Sequence, residues 1–572
     1  MTSCEFRCII ISMSRKKNIK NDFGLDPITV IHFLLGVLVS TYCCVLFFVM
    51  PIIYHDKYYD MGEFKYTMFM AVTVSFLLFA VILLAIYLLA LTLSKKINKE
   101  SVTEFLKSFS VTDMFVLAFV IASMLSFILS PNRTSEFPRF FLFDLKAPDR
   151  VVNLPWEGYK DWNMGLRTQL MFAAIYFLVS RFTLKSWRKD ITFIMLASSA
   201  IAFIFGILHR FNIDPLELYE NLDMKYKKDF LSTMGQLTWY SSYMILLIPI
   251  GMSFFIFMNR KNRIMHIIFG IYCTISAATL VTQNSDSAYM AIFAFLLVFL
   301  WISFEDNERF LNFTDLMVLM LATAKVVGIF QLLFPERVTP LDKLSFFVTK
   351  SAATWVLLAI LIAFRLFIGK KIKSSGFDIS KHTKVRNIIV FSALACIPLA
   401  IIIVILNTKG YIPIESLKNN NYLYFDDVWG DGRGVNWRNT VEVLFEEPWK
   451  SMCLTGAGPD CLATVLYATE PRASFLLDFF GGPVITCCHN EWLNMLVNEG
   501  ILGFVSYLGI FVSAFIVFIK KADNPVFTAG AACITAYFFH NFFCYQQILC
   551  TPMIFCIIAL CEWARRNPEV YS

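Results

Sequence analysis

The sequence predicts an all-α polytopic integral membrane protein. Hydrophobic residues occupy 57% of its 572 positions and charged residues only 16%, and its mean hydropathy is +0.62. A soluble chain of this length needs a far more polar surface, so the composition excludes the soluble class. The second observation is a succession of apolar runs close to the about 20 residues that a helix needs to cross a bilayer.

About fourteen apolar runs are candidate membrane spans. They lie at about 28–54, 67–94, 113–130, 167–184, 191–208, 236–258, 264–283, 287–304, 311–334, 351–369, 387–407, 492–519, 526–543 and 545–563. The fourth of these runs is short, and the last two have almost no loop between them. The first run is too long for a cleaved signal peptide, so it is predicted to be a retained helix.

Basic residues predict the orientation of these spans. With the N-terminus inside, every cluster of basic residues between spans falls on the cytoplasmic face, as the positive-inside rule requires. These clusters contain Lys95, Lys96, Lys99, Lys185, Arg188, Lys189, Arg260, Lys261, Arg263, Lys370, Lys371, Lys373, Lys520, Lys521, Arg565 and Arg566. The agreement requires an even number of spans, so both termini are predicted to be cytoplasmic. The modest net charge of +7 follows from this topology and does not indicate nucleic-acid binding.

These assignments divide the chain into five parts. Residues 1–27 are predicted to form a cytoplasmic tail, 28–407 a bundle of about eleven spans, and 564–572 a second cytoplasmic tail. Between the last two, 408–491 form a long extracytoplasmic loop and 492–563 form about three further spans. The other outer connections are much shorter, so this loop before the twelfth span is expected to carry the chemistry.

The head of the twelfth span offers a candidate base. His489 and Asn490 open this helix, whose exposed N–H groups and dipole disfavour an imidazolium, so His489 should stay neutral. Glu491, Asn494 and Asn498 follow at i, i+3 and i+7 as a polar stripe that enters the membrane on one face. Polar groups at that depth normally face a cavity. The alternative is an interfacial capping histidine with a solvated stripe.

The start of the same loop offers a candidate anion site. Arg433 and Arg438 lie near Gly432 and Gly434. Arginine can hold a phosphate through two parallel hydrogen bonds, and glycines let the backbone approach an anion. The alternative is a salt-bridged loop, because five acidic residues are close in sequence, namely Asp426, Asp427, Asp431, Glu442 and Glu446.

A short helix and a turn are predicted between these two candidate sites. The helix runs from Asn436 to Phe445, is ended by Pro448, and has an apolar face formed by Trp437, Val441, Leu444 and Phe445. The sequence TGAGPD predicts a turn, after which Pro459 would open a short helix toward Ala468.

Cysteines and motifs limit the possible chemistry. The loop cysteines lack paired CxxC spacing, which argues against zinc, although a disulfide between Cys453 and Cys461 stays possible. No P-loop, GxSxG, HExxH or paired-aspartate motif is present. An ATP-driven pump, a serine hydrolase and a metalloprotease are therefore disfavoured, and no metal or other cofactor is expected.

Charged residues outside the loop are further candidates for binding an anion. Lys325 lies near the middle of the ninth span, where an ammonium group is a functional candidate by default. Asp286, in the outer turn TQNSDSAY, and Glu499 are its possible partners, and a structural ion pair is an equal alternative. Arg167 and Arg210, next to outer connections, could attract an anionic headgroup.

These segments together resemble a known family. GRGVNWRNTVEVLFEEPWKSMCLTGAGPD followed by HNEWLNMLVNEGILGFVSYLGIF resembles the core of the bacterial O-antigen ligase and polymerase family. Upstream, GILHRFNIDPLELY and TMGQLTWYSSYMILLIPIGMS are similar to two further elements of that family. The resemblance covers roughly residues 195–560.

The resemblance implies an inverting, metal-independent glycosyltransferase in the bacterial cytoplasmic (inner) membrane. Its donor would be an undecaprenyl-diphosphate-linked glycan and its acceptor a sugar hydroxyl at the outer face, with membrane lipids as the remaining partners and no nucleic acid. His489 matches the loop histidine proposed as base for the acceptor hydroxyl. Arg433 and Arg438 match basic positions that would hold the diphosphate. Ligase and polymerase differ only in the acceptor, so the resemblance leaves this choice open.

Two departures from the family pattern leave other functions open. Ligases carry an "SR" arginine after the seventh span, whereas this chain has NSDSAY with Asp286. One diphosphate contact is therefore either missing or supplied by Lys325, Arg167 or Arg210. About fourteen spans also exceed the dozen that are typical of ligases. A transporter or flippase would use Lys325 and the polar stripe, and it predicts inverted repeats with broken helices. A family member without catalysis, acting as a scaffold, is the third possibility.

Overall fold

The computed structural model describes residues 26–133, 154–159, 163–341, 343–412, 414–418, 420 and 422–570. The predicted tail 1–27 lies almost wholly outside the described residues. In the described part, regular structure is helical except for one antiparallel pair of two-residue strands, β1 (Phe230–Leu231) and β2 (Gly235–Gln236). The prediction of an all-α polytopic membrane protein is confirmed.

The helices are numbered here in chain order. They are α1 (Pro27–Ile52), α2 (Met61–Leu93), α3 (Lys99–Lys107), α4 (Val111–Leu129), α5 (Leu154–Glu157), α6 (Leu166–Phe182), α7 (Arg188–Arg210), α8 (Leu237–Phe257), α9 (Arg263–Gln283), α10 (Asp286–Ser303), α11 (Asn307–Leu333), α12 (Lys343–Lys350), α13 (Ala352–Ser375), α14 (Thr383–Thr408), α15 (Glu415–Lys418), α16 (Trp429–Val443), α17 (Leu462–Leu466), α18 (Arg472–Phe479), α19 (Glu491–Ile519), α20 (Pro525–His540) and α21 (Thr551–Arg566).

Eleven of the described helices are long and apolar enough to cross a membrane: α1, α2, α4, α7, α8, α9, α10, α11, α13, α14 and α19. The other three predicted spans correspond to α6, α20 and α21, which have 17, 16 and 16 residues. A helix of 16 residues is about 24 Å long, which is shorter than the hydrocarbon core. The predicted number of about fourteen spans and their orientation therefore remain predictions.

The centre of the helical bundle lies around α8, α19, α20 and α21. Helix α20 packs against α8 and α10, α19 packs against α4, and α21 packs against α6. Nearly all of α8 is buried, whereas α13 and α14 expose most of their apolar side chains. Exposed apolar faces of this kind suit contact with lipid. The long loop is attached directly to the bundle centre, because it ends where α19 begins.

Helix α19 is broken at Gly500, where φ is 67° and ψ is −169°. The segment 453–458, which contains the GAG turn, lies against the break. The N–H groups of Ile501 and Leu502 donate to the carbonyl oxygens of residues 453 and 454 at 2.9 and 3.1 Å. In return, the carbonyl oxygens of residues 497 and 498 accept hydrogen bonds from the N–H groups of residues 457 and 458 at 3.0 and 2.8 Å. Irregular backbone is tolerated in a membrane helix where protein groups satisfy it in this way. The predicted twelfth span at 492–519 therefore corresponds to α19, and the break inside it is a feature that the sequence analysis did not predict.

Helix α16 forms where a helix was predicted, but it buries a different face. Val441 and Phe445 are 40% and 76% exposed. The buried side chains include Val435, Asn439 and Thr440. Their burial is possible because the Asn439 amide and the Thr440 hydroxyl donate to backbone carbonyl oxygens one turn earlier, at 2.8 and 2.7 Å. After the turn, α17 begins three residues beyond Pro459, which therefore does not open it.

Buried charges join three helices at one end of the bundle. The carboxylate of Asp113, at the start of α4, is fully buried. It accepts hydrogen bonds from Tyr176 at 2.7 Å, from Arg181 at 3.2 Å and from Arg566. The first two partners belong to α6 and the third belongs to α21. This network therefore fixes α6 and α21 to α4.

Replacing Asp113 by asparagine is expected to destabilise the protein by about 3–5 kcal/mol, because both guanidinium groups lose this buried carboxylate and Arg566 keeps only Glu562, at 3.5 Å. Thermal unfolding of the purified variant in detergent measures this effect. The matched control is Asp26→Asn, since Asp26 pairs with Lys96 at 3.3 Å on the protein surface, where an ion pair contributes at most about 1 kcal/mol. Equal changes in unfolding temperature for the two variants would contradict the structural role of Asp113.

Candidate active site at the head of helix α19

The turn before α19 determines where His489 lies. The side chain of Asn490 caps the helix and accepts hydrogen bonds from the N–H groups of Trp492 and Leu493, both at 3.1 Å. Asn494 accepts a hydrogen bond from the N–H of Cys488 at 3.0 Å. Between these two anchors, His489 has a left-handed backbone with φ of +52°. Such a conformation is uncommon for a residue other than glycine and is often found at functional sites.

The imidazole of His489 is partly buried. Its Nδ1 lies 3.5 Å from the sulfur of Cys487, and its ring packs against Tyr545 with centroids 5.1 Å apart. Burial lowers the pKa of His489 to about 3, and the positive charge of Arg433 contributes in the same direction. The imidazole is therefore neutral at physiological pH, and burial is the largest cause. A neutral imidazole can accept a proton.

Arg433 follows a kink in α16. Gly430, Asp431 and Gly432 all have positive φ values, of 61°, 62° and 79°. The kink lets the guanidinium of Arg433 donate to the carbonyl oxygen of Gly430 and, through Nε, to that of Phe543 at 3.2 Å. Among the described residues, no carboxylate forms an ion pair with it. Because a guanidinium has five N–H donors, Arg433 keeps donors for an anion.

Arg438 has a different environment, although it lies on the same helix. Its side chain is 45% exposed and forms an ion pair with Asp427. Glu442 lies 4.0 Å away, one turn further along α16. The salt-bridged loop that the sequence left as an alternative therefore describes Arg438, whereas it does not describe Arg433.

Arg210 and Arg167, two of the cations considered as replacements for the missing family arginine, form hydrogen bonds with other protein groups. Arg210 is fully buried and donates to the carbonyl oxygens of Thr282 and Gln283 at the end of α9. Arg167 donates to the hydroxyl of Tyr66 at 2.6 Å.

Lys325 stabilises the end of a neighbouring helix. Its ammonium donates to the carbonyl oxygens of Thr349 and Ser351 at 3.3 and 2.9 Å and to the hydroxyl of Thr354. The possible ion pair with Asp286 or Glu499 does not form, because the carbonyl oxygens in the last turn of α12 and just after it take the donors of Lys325.

Asp286 and Glu499, the two acidic residues considered as partners of Lys325, hydrogen-bond to other side chains. Asp286 accepts a hydrogen bond from the hydroxyl of Tyr422 at 2.9 Å, which connects the start of α10 to the long loop. Glu499 accepts a hydrogen bond from the hydroxyl of Ser123 on α4. Both carboxylates thus connect segments that are distant in sequence.

The polar stripe of α19 lines a small cavity. Glu491, Asn494 and Asn498 share this cavity with Asp460 and Gln169. Its volume is about 20 Å³, which is enough for a water molecule but far too small for a sugar. Glu491 accepts hydrogen bonds from two tyrosines, Tyr507 and Tyr537, and from the Asn541 amide. The stripe therefore faces the protein interior.

Sequence reasoning missed Asp460 and His540. The carboxylate of Asp460 accepts hydrogen bonds from the N–H groups of Tyr159 and Met164 at 2.8 and 3.1 Å, and burial raises its pKa to about 7. Its position in the TGAGPD motif was the signal that could have found it. His540 lies within 3.3 Å of the hydroxyls of Ser241 and Ser287. Nothing local distinguishes His540, because it ends an apolar run.

The loop cysteines are free thiols, so the possible disulfide between Cys453 and Cys461 is not formed. Burial raises the pKa of Cys487, which keeps this neighbour of His489 protonated. In the part of the chain that the structure describes, no group of three or more histidine, cysteine, aspartate and glutamate side chains could hold a metal ion.

Comparison with known families identifies the segment that contains this site. Residues 341–508 match the family model described as O-antigen ligase. Over these residues, the chain is similar to the O-antigen ligase family. The match supports glycan transfer of the O-antigen ligase type in polysaccharide biosynthesis. No curated protein matches the chain significantly.

The matched segment contains both Arg433 and His489 and ends within α19. Helices α20 and α21 follow it, yet the connection between them completes the site. This connection supplies the Tyr545 ring beside His489 and the Phe543 carbonyl oxygen that binds Arg433. The candidate site is therefore formed by the matched segment together with the C-terminal helices.

Proposed function

We propose that this protein transfers a glycan from a lipid diphosphate, of the undecaprenyl type, to a hydroxyl group of an acceptor sugar. The observation that supports this most is a neutral His489 whose pKa the nearby positive charge of Arg433 helps to lower, with both residues inside the segment that matches the O-antigen ligase model. Arg433 has no carboxylate partner among the described residues, so its charge is available to an anionic leaving group. These two groups are the base and the electrostatic stabiliser that this transfer needs.

In the proposed reaction, the acceptor hydroxyl attacks the anomeric carbon of the donor sugar. Nδ1 of His489 lies 3.5 Å from the sulfur of Cys487. The reaction uses the tautomer in which Nδ1 carries the proton, because the lone pair is then on Nε2, which takes the hydroxyl proton. The bond between the anomeric carbon and the diphosphate oxygen breaks with inversion at that carbon. Arg433 stabilises the negative charge that develops on the leaving diphosphate. No metal ion takes part in this proposal.

We place the site at the outer face of the bacterial cytoplasmic membrane. Helix α6 begins just after Met164, whose N–H binds Asp460 near the site. The same helix ends beside the predicted cytoplasmic cluster, where Arg181 meets Arg566 at the carboxylate of Asp113. A helix of 17 residues is about 25 Å long, so the two ends of α6 are separated by most of the thickness of the hydrocarbon core. This separation supports the outer location when it is combined with the positive-inside rule.

The transporter alternative gains no comparable support. Among the described spanning helices, non-helical backbone angles occur only inside α19. The groups freed at Gly500 are paired with the loop, so the break joins the loop to the bundle and opens no path.

Purified full-length protein, incubated with an undecaprenyl-diphosphate-linked oligosaccharide and a sugar acceptor, is expected to release undecaprenyl diphosphate. The product should have the inverted anomeric configuration, which NMR detects, and its formation should continue in EDTA. Movement of intact donor across vesicles without release of the lipid diphosphate would contradict the proposal and favour transport. Glycans of a deletion strain distinguish the acceptors: short repeats left on lipid indicate a polymerase, and long unattached polymer indicates a ligase.

A further inference from the structure

Four aromatic side chains form a cluster beside Arg433. Phe425 packs against Trp429 with ring centroids 5.3 Å apart, and Trp429 packs against Trp437 at 5.2 Å. Phe543, from the connection between α20 and α21, lies 5.7 Å from Trp437 and 6.2 Å from Trp429. We call Phe425, Trp429, Trp437 and Phe543 the aromatic cluster. All four rings are partly exposed, so the cluster lies at the protein surface.

Both tryptophans of the cluster have indole N–H groups that lack a hydrogen-bond partner among the described residues. An unpaired buried N–H is costly and uncommon, and two within one cluster require an explanation. Packing alone does not provide one, because phenylalanine fills the same kind of space without a donor. Residues with an apolar ring and a polar N–H suit a ligand with both an apolar face and hydroxyl groups.

The aromatic cluster adjoins the proposed anion site through two connections. Trp437 lies one turn after Arg433 on α16, so the two side chains lie on the same side of the helix. Phe543 contributes its ring to the cluster and its carbonyl oxygen to Nε of Arg433 at 3.2 Å. A ligand that contacts these rings therefore lies next to the guanidinium group.

We propose that the aromatic cluster binds a pyranose ring of the glycan substrate. This inference rests on the proposed function. A pyranose presents C–H groups on its faces, which stack on the exposed parts of the aromatic rings. Its hydroxyl groups can accept the indole N–H groups where a side-chain rotation uncovers these buried nitrogens. In a glycosyl diphosphate the sugar is bonded directly to the phosphate, so its binding site must adjoin the cation that holds the diphosphate. The aromatic cluster meets this requirement for the donor sugar. An acceptor sugar must lie next to the donor sugar during the reaction, so it could also contact the cluster.

A membrane-interface role is the main alternative for these tryptophans. Tryptophan is enriched at the boundary between lipid and water, where its N–H meets headgroups. Such a role would make the tryptophans matter for stability or membrane insertion, while the affinity for sugar would not depend on them. Measurements of sugar binding therefore separate the two roles.

The test uses full-length protein in nanodiscs and three variants. Trp437→Leu removes both the aromatic ring and the N–H, whereas Trp437→Phe keeps a ring and removes only the donor. The matched control is Phe445→Leu, since Phe445 is an exposed aromatic residue just after α16 that lies outside the aromatic cluster. Saturation-transfer NMR with methyl glycosides of glucose, galactose, mannose and N-acetylglucosamine reports binding. Apparent KM values for the lipid-linked donor and for the acceptor are measured separately.

Trp437→Leu is expected to weaken binding of the preferred methyl glycoside about tenfold, and Trp437→Phe less, because stacking remains. The apparent KM for one substrate should rise by a similar factor, and the substrate affected shows whether the donor or the acceptor sugar binds there. Unchanged glycoside binding and unchanged KM values in both Trp437 variants would overturn the inference, while a His489-dependent activity would leave the proposed function intact. If Trp437→Leu does not fold, unchanged glycoside binding and unchanged KM values in Trp437→Phe would overturn the inference.

Discussion

Replacing His489 by alanine is expected to lower the rate of glycan transfer by a factor of about 10²–10⁴ while the protein stays folded. The acceptor hydroxyl would lose the group that takes its proton, whereas Arg433 would still bind the donor. The effect should therefore appear in kcat and less in the donor KM. The fold should tolerate the change, because the imidazole is partly exposed and the helix cap is made by the neighbouring Asn490.

Release of undecaprenyl diphosphate measures this loss directly, and thermal unfolding reports whether the variant is folded. The matched control is His55→Ala, because this histidine is 69% exposed and pairs with Asp60 in the connection between α1 and α2. His55→Ala should retain normal transfer. Normal surface polysaccharide in a strain that carries only His489→Ala would contradict the catalytic role.

The pH dependence gives an independent test of the same residue. Because the pKa of His489 is lowered to about 3, its protonation should not reduce activity near the ordinary histidine value of 6.5. Removing a positive charge from its neighbourhood should raise this pKa. Arg433→Gln is thus expected to shift the acidic limb of the pH profile to higher pH, in addition to weakening donor binding. A wild-type profile in which activity falls near pH 6.5 would contradict the neutral, partly buried imidazole.

The same shift has a consequence for stability. The unfolded chain binds a proton at His489 below about pH 6.5, whereas the folded protein resists protonation until about pH 3. Stability from this residue is therefore present above pH 6.5 and is lost as the pH falls through that window. Asp460 acts in the opposite direction, because its raised pKa of about 7 favours the protonated form in the folded state. Its contribution is present at low pH and is lost as the pH rises toward 7.

Replacing Gly500 by alanine is expected to destabilise the protein by roughly 3 kcal/mol or more. Its backbone conformation is essentially restricted to glycine. A Cβ atom there would also lie 2.5 Å from the carbonyl group of Leu454 and 2.6 Å from the N–H nitrogen of Gly456. Those atoms belong to the segment that pairs with the broken helix, so the substitution would separate the loop from α19. Transfer activity should fall as well, because that loop connects Arg433 to His489.

The matched control is Gly270→Ala, also in a spanning helix. Its added Cβ would meet only a ring carbon of Phe255, at an ordinary contact distance of 3.7 Å. Alanine is the better helix former, so this variant should be neutral or slightly more stable. Unfolding temperatures from fluorescence-detected size exclusion compare the two variants. Equal values would show that the junction between loop and broken helix contributes little.

The apolar runs of the sequence predicted the helices well, because a helix in a bilayer must be continuous in hydrophobicity over about 20 residues. The three runs that form helices of only 16 or 17 residues are the short fourth run and the last two runs, which have little loop between them. The break at Gly500 had no local signal of the same strength. It depends on pairing with residues 453–458, more than forty positions earlier in the chain.

The sequence alone determined the membrane class, the helical fold and the residue types from which a site could form. Composition and periodicity are local properties, and they can be read from the sequence without knowing which distant residues are in contact. Only the tertiary structure decided which of these residues lie together. It left Arg433 without a carboxylate while Arg438 pairs with Asp427, and it brought Phe543 to α16 across more than a hundred residues. Such choices depend on contacts between distant segments, whose geometry no local pattern encodes.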